Sequence, residues 1–120
     1  MIISGKVVKG SGLSTKKGFP TANINIRRKF PKWVSVAQAK VGEKTYPGIL
    51  IVGAPTRHIR KFPKIEFFCF SQKCKFYGQS IEIKILKKIR GTKKFGTPKE
   101  LLKQINQDIH LAKKYFKTHG

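Results

Sequence analysis

The feature that most constrains this chain is a change of hydrophobic period near Thr97. Before it, apolar residues come in short runs: Ile2 to Lys9, Ala22 to Ile26, Val34 to Val41, Tyr46 to Val52, Ile65 to Phe70 and Ser80 to Lys88. Turn signals at Gly10 and Gly12, Pro31, Gly42, Pro55 and Gly78 separate the runs. Ile81, Ile83 and Ile85 alternate with Glu82 and Lys84, the two-residue period of a half-buried strand. After the change, Leu101, Ile105, Ile109, Ala112 and Phe116 recur at helical spacing and form one apolar stripe. Thr97, Pro98 and Glu100 supply a cap, a proline at the first helical position and a capping-box acid. Lys113, Lys114 and Lys117 then sit near the negative end of the dipole. This predicts an all-β domain with a C-terminal helix: an antiparallel barrel or sandwich over about residues 1–90 and a helix over about 97–117, packed on it.

At 120 residues the chain has room for a single domain, 1–120, and none for a second catalytic module. Hydrophobic content of 39% and nine Phe separate it from disordered chains of high net charge. There is no run of about 18 apolar residues, and Ser4, Gly5 and Lys6 follow only three apolar ones, so neither a membrane span nor a signal peptide is expected. A cytoplasmic monomer is the expectation, and Met1 directly before the first strand fits a natural start. Cys69 and Cys74, with the scattered His58, His110 and His119, give no zinc-ligand spacing. Both cysteines are expected to be reduced thiols, Cys69 in the core.

The formal charge of +22 demands either an anionic partner or a compositional background rich in lysine. Arg27, Arg28, Lys29 and Lys32 lie beside Phe30 and Trp33, and Arg57, Arg60, Lys61 and Lys64 beside Phe62, a mixture suited to single-stranded nucleic acid. Against that, only five of the 27 cationic residues are Arg, the better-shaped side chain for phosphate, and the cations are spread along the whole chain.

Five carboxylates make elimination possible for any acid–base role. Glu43 lies in a hairpin turn with Gly42 and Lys44, Glu82 on the polar face of a strand, Glu100 in the capping box and Asp108 on the helix among lysines. Glu66 differs, because it interrupts the run Ile65-Glu66-Phe67-Phe68-Cys69-Phe70. Desolvation would raise the pKa of a carboxylate there unless a polar site or cation receives it. That is the setting of a general base. A solvent-facing strand residue, or an ion pair with one of many lysines, is the plainer alternative.

A second feature is Gly18-Phe19-Pro20-Thr21-Ala22-Asn23, preceded by Gly10-Ser11-Gly12. Glycines allow backbone N–H groups to approach phosphate closely, and Thr hydroxyl and Asn carbonyl are hard oxygen ligands suited to Mg. The same residues also serve as ordinary turns.

Read as a string, Gly18-Phe19-Pro20-Thr21-Ala22-Asn23-Ile24 resembles the signature of riboflavin kinases. Further segments agree with that family in order: Gly5-Lys6-Val7-Val8 followed by Gly10 and Gly12, Tyr46-Pro47-Gly48, Gly53-Ala54-Pro55-Thr56, Glu66, Tyr77-Gly78, Ile89-Arg90, Phe95, and the helix with Gln104-Ile105 and Asp108. The resemblance implies a six-stranded antiparallel Greek-key β-barrel and the transfer of the γ-phosphate of ATP to riboflavin, giving FMN. It implies that Thr21 and Asn23 hold Mg (Mn or Zn in some settings) and the ATP phosphates, and that Gly10 and Gly12 close over the nucleotide, with Tyr77 in contact with it. It places Glu66 as catalytic base and Arg90, Lys93 and Phe95 at the flavin.

Some positions depart from the pattern. Leu13 and Ser14 stand where Arg and Gly are common, Trp33 and Ser35 where a Gly-Val-Tyr strand start is typical, and Phe68 and Ser71 where His and Asp often follow the base. With no adenylyltransferase module, the product is expected to stop at FMN. The alternative is a catalytically inactive domain of the same fold that binds RNA, the ribosome or another polyanion through its basic surface.

Overall fold

A computed structural model describes residues 2–8, 21–25, 32–53, 65–70, 78–91 and 96–119. Among the described residues six strands, Ile2–Val8 (β1), Thr21–Asn25 (β2), Trp33–Val41 (β3), Lys44–Val52 (β4), Ile65–Cys69 (β5) and Ser80–Gly91 (β6), precede a helix, Pro98–His119 (α1). All pairings are antiparallel, and the strands close into a barrel in the order β1-β2-β5-β4-β3-β6. The chain passes from β2 to the far side of the β3-β4-β5 meander before returning, which is the Greek-key crossing. Closure leaves no sheet edge to be protected.

Side-chain alternation divides the wall into two faces. Ile3, Val7, Ala22, Ile24, Ala37, Ala39, Leu50, Val52, Ile65, Phe67, Cys69, Ile81 and Ile83 fill the interior. Val34, Val36, Ile49, Ile51 and Phe68 project outward and are covered by Ile105 and Ala112 of α1, with Leu101, Ile109, Tyr115 and Phe116 around them. β5 is therefore buried along its whole length, which is why its sequence reads as an almost continuous apolar run.

The register of β3 against β6 shifts twice. Val34 and Ser35 face Arg90 and Lys88, and Val36 and Ala37 face Lys87 and Ile85, so Ile89 and Leu86 are the extra residues of two bulges. Both of these side chains pack against the helix-covered cluster. Leu86 already falls outward by the alternation of Ile81, Ile83 and Ile85, whereas Ile89 does not, and the bulged register turns it out toward α1.

The helix begins as its sequence predicts. The Thr97 hydroxyl accepts from the Glu100 N–H at 3.2 Å, while the Glu100 carboxylate reaches one residue further back than in a standard capping box and accepts from the Gly96 N–H at 3.0 Å. The sequence-predicted stripe from Leu101 to Phe116 faces the barrel.

One expectation is overturned. Cys69 is buried in the interior as expected, but it is disulfide-bonded. The chain's second cysteine, Cys74, lies outside the described residues. The expectation of reduced thiols rested on cellular compartment, an argument with no geometric content.

Gly48 shows a direct steric constraint. A Cβ at this position would collide with the Phe68 carbonyl oxygen and lie 2.5 Å from the tip of the Phe67 ring. A side chain here would drive β4 and β5 apart where Gly48 faces Cys69. Gly48→Ala is expected to cost about 3 kcal/mol, the upper end of overpacking penalties, read from the shift in urea midpoint at constant slope.

Candidate active site

The register places three of the sequence-predicted residues, Asn23, Glu66 and Arg90, along one row of the barrel wall. Asn23 of β2 faces Glu66 of β5, Glu66 faces Ile51 of β4, Ile51 faces Val34 of β3, and Val34 faces Arg90 of β6. Ile51 and Val34 belong to the outer cluster, and Asn23 and Glu66 alternate with the interior residues Ala22, Ile24, Ile65 and Phe67. The whole row therefore faces outward. At a strand spacing of about 4.8 Å, Asn23 and Glu66 are adjacent, and Glu66 lies about 14 Å from Arg90 around the wall.

Glu66 is 6% exposed and Asn23 is partly exposed. A solvent-facing strand position for Glu66 is therefore excluded. No buried side-chain polar atom among the described residues lacks a hydrogen-bond partner. Thr21 stands two positions before Asn23 in the same strand, with its backbone opposite Phe68. Asn23 and Glu66, which the register brings together, offer oxygen donors of the kind suited to a hard cation such as Mg. Among the described residues no group of three or more His, Cys, Asp or Glu could hold a metal.

At the other end of the row Arg90 meets the helix. Its Nε donates to Asp108 Oδ1 at 3.0 Å and its Nη2 to Asp108 Oδ2 at 2.6 Å, a bidentate pair. Gln104 Nε2 donates to the same Oδ1 at 3.1 Å, and Arg90 Nη1 donates to the Gly91 carbonyl at 3.0 Å. The Asp108 side chain is completely buried and that of Arg90 is 19% exposed. Asp108 is thus not a solvated helix residue among lysines. The signal was present, because Asp108 is three residues from Ile105 and four from Ala112, on the apolar stripe.

Gly10, Gly12, Tyr77, Lys93 and Phe95 lie outside the described residues, as do Leu13, Ser14 and Ser71. So do Arg27, Arg28, Lys29, Phe30, Arg57, Arg60, Lys61, Phe62 and Lys64 of the two basic and aromatic clusters. Of those clusters Lys32 and Trp33 are described, and both are exposed. The departures that are described have structural places. Phe68 packs under α1, Ser35 is buried on the interior side of β3, and Trp33 opens β3 opposite Gly91 with the Lys88 ammonium 4.5 Å from its ring centroid.

A family model described as Flavokinase: Riboflavin kinase matches residues 1–116. The chain belongs to the riboflavin kinase family. It is 34% identical over 119 residues to the bifunctional riboflavin kinase/FMN adenylyltransferase of Buchnera aphidicola subsp. Schizaphis graminum, covering 95% of this chain and 38% of that protein. It is 36% identical over 121 residues to the RNA-binding riboflavin kinase RibR of Bacillus subtilis, covering 99% of this chain and 53% of that one. The chain therefore spans between about two-fifths and half of the length of these relatives. The riboflavin kinase structure from Trypanosoma brucei shares the fold, with a TM-score of 0.66 at 24% identity over 98% of this chain and 80% of that one. No helix among the described residues is long and apolar enough to cross a membrane.

The asymmetry of the Arg90–Asp108 pair gives a prediction about stability. Removing the arginine strands a fully buried carboxylate, whereas removing the aspartate leaves a guanidinium that can turn toward water. Arg90→Ala is expected to cost about 3–5 kcal/mol and Asp108→Ala clearly less, measured by chemical denaturation of both variants.

Proposed function

We propose that this chain is an ATP-dependent riboflavin kinase that transfers the γ-phosphate of ATP to the ribityl 5′-hydroxyl of riboflavin, giving FMN. The observation that carries the reading is the direct opposition of Asn23 and Glu66 on neighbouring strands, on the outer face of the barrel, within a chain of this family.

Phosphoryl transfer asks little covalent chemistry of a protein. It needs a base at the attacking hydroxyl, a cradle for the phosphates and a fixed orientation of the acceptor. Glu66, held in a strand buried along its whole length, is the base that accepts the hydroxyl proton during in-line attack on the γ-phosphorus. Asn23 and Thr21 bind the phosphate end together with the metal. Mg, when bound, offsets the negative charge of the phosphate oxygens and orients them.

The acceptor is elongated, with its reacting hydroxyl at one end of a ribityl chain and a flat ring system at the other. The row offers a polar end at Asn23 and Glu66 and a cationic end at Arg90, while Ile51 and Val34 between them are buried under α1, so the two ends rather than the middle of the row are where a ligand is met. Lys93 and Phe95 follow Arg90 in sequence and belong to the flavin end in this reading, as Gly10, Gly12 and Tyr77 belong to the nucleotide end. The net positive charge raises the local concentration of the anionic nucleotide. Among the described residues no observation favours a catalytically silent polyanion binder over this reading.

The test is ATP- and Mg-dependent formation of FMN by the purified protein, resolved by chromatography. Glu66→Gln keeps the shape of the side chain and removes the base, and turnover is expected to fall by about 10² or more. Near-native turnover in that variant would take Glu66 out of the role. A folded protein that forms no FMN with Mg, Mn or Zn would remove the kinase reading itself.

A further inference from the structure

The pattern shared with the family includes Gln104 and Asp108 on α1 but gives neither a task. We infer that Asp108 is a positioning residue for the flavin. Together with Gln104 it fixes the plane and tilt of the Arg90 guanidinium at the far end of the row that carries Asn23 and Glu66. This inference rests on the riboflavin kinase reading above.

Three observations carry it. First, the Asp108 carboxylate is completely buried, so it cannot touch a substrate, whereas Arg90 reaches the surface at 19% exposure. Any effect of Asp108 on binding must pass through its partner. Second, the contacts leave the guanidinium little freedom. Two parallel bonds to the two carboxylate oxygens define its plane, and a third bond from Gln104 holds the carboxylate against rotation. The remaining edge bonds to the Gly91 carbonyl at the last residue of β6. Third, the pair is not needed simply to dock the helix. Ile105, Ala112, Leu101, Ile109 and Phe116 already cover the apolar wall. A buried ion pair is a weak source of net stability compared with apolar residues of the same size. What it supplies that an apolar pair cannot is a defined direction for a cationic group that reaches solvent.

The variants are Asp108→Asn, which keeps the shape and removes the charge, and Gln104→Met, which leaves the ion pair intact but frees the carboxylate. Steady-state kinetics with riboflavin and with Mg-ATP varied in turn would be combined with melting curves and the Nε–H nuclear magnetic resonance of Arg90, assigned by its loss in Arg90→Lys. Asp108→Asn is expected to raise the KM for riboflavin about tenfold, the size expected when a charge-assisted contact is misplaced. The KM for ATP should stay within about twofold of the parent, and the protected Nε–H signal should be lost. Gln104→Met should change riboflavin KM in the same direction by about two- to threefold, and it carries the test if the Asn variant does not fold.

A loss of thermal stability with both KM values unchanged would overturn the inference and leave Asp108 as a purely structural residue. Equal increases in both KM values would overturn it as well, because they would signal general damage to the site. A folded parent protein that neither binds riboflavin nor forms FMN would overturn the kinase reading, and this role with it. That outcome is seen in the parent and so cannot be confused with the other two.

Discussion

A barrel strand that is buried on both sides must satisfy two environments with one alternating sequence, and β5 shows what that requires here. Ile65, Phe67 and Cys69 enter the interior while Glu66 and Phe68 face outward, and all five are buried. A slip of one residue would place the Glu66 carboxylate in the apolar interior and turn Phe67 to the outer face, so the register is strongly specified. Every spatial relation of the candidate site follows from that register. Asn23 meets Glu66, and Glu66 lies in line with Ile51, Val34 and Arg90, because the strands can pair in only one way. The interior packing that holds the barrel closed is in this sense also what aligns the site.

The second dependence is between β6 and α1. Leu86, by alternation, and Ile89, by the bulged register, point at the helix, and the helix answers with Asp108 at the next register position, Arg90. Apolar contact alone would tolerate small sliding of the helix along the wall. A bidentate pair whose carboxylate is inaccessible to water does not, because any displacement leaves a buried charge without its partner. Position along the barrel is thereby tied to the orientation of a single guanidinium.

Much of this was legible in the sequence, and the parts that were not have physical reasons. The six strands and the helix follow from period and turn chemistry, and each observed strand overlaps the apolar run that predicts it. Glu66 stood out because a carboxylate inside an apolar run is costly to withdraw from water, and it is indeed buried. Asp108 was misread because Lys103, Lys113 and Lys114, five and six residues away, were weighed above its helical neighbours Ile105 and Ala112. In a helix the residues three and four away share its face and decide its environment. The bulges were hidden because Leu86-Lys87-Lys88-Ile89 breaks the alternation without saying where the extra residues go. Closure of the sheet, and the row that joins β2 to β6, depend on pairing between distant segments, to which local patterns are blind. The burial of Cys69 was readable from composition, and its oxidation was not.

The distribution of charge sharpens the reading of the site. The chain has only five carboxylates against 27 cationic residues, and two of the five, Glu66 and Asp108, are buried. With Ser35 they are the buried polar residues among those described, and no described lysine or arginine belongs to that set. A surface this rich in lysine could neutralise acids almost anywhere at little cost, while withdrawing an ionised carboxylate from water costs several kcal/mol unless its partners are well placed. Lysine content can rise through drift across an exposed surface, because solvated cations are nearly neutral for stability. Buried acids cannot accumulate that way. The two that persist here stand on, or bind directly to, the same row of the barrel wall, one at the polar end and one behind its cationic end. On the riboflavin kinase reading proposed above, the functional demand on this fold is concentrated in its few negative charges, and its many positive ones mainly set the field in which the anionic nucleotide approaches.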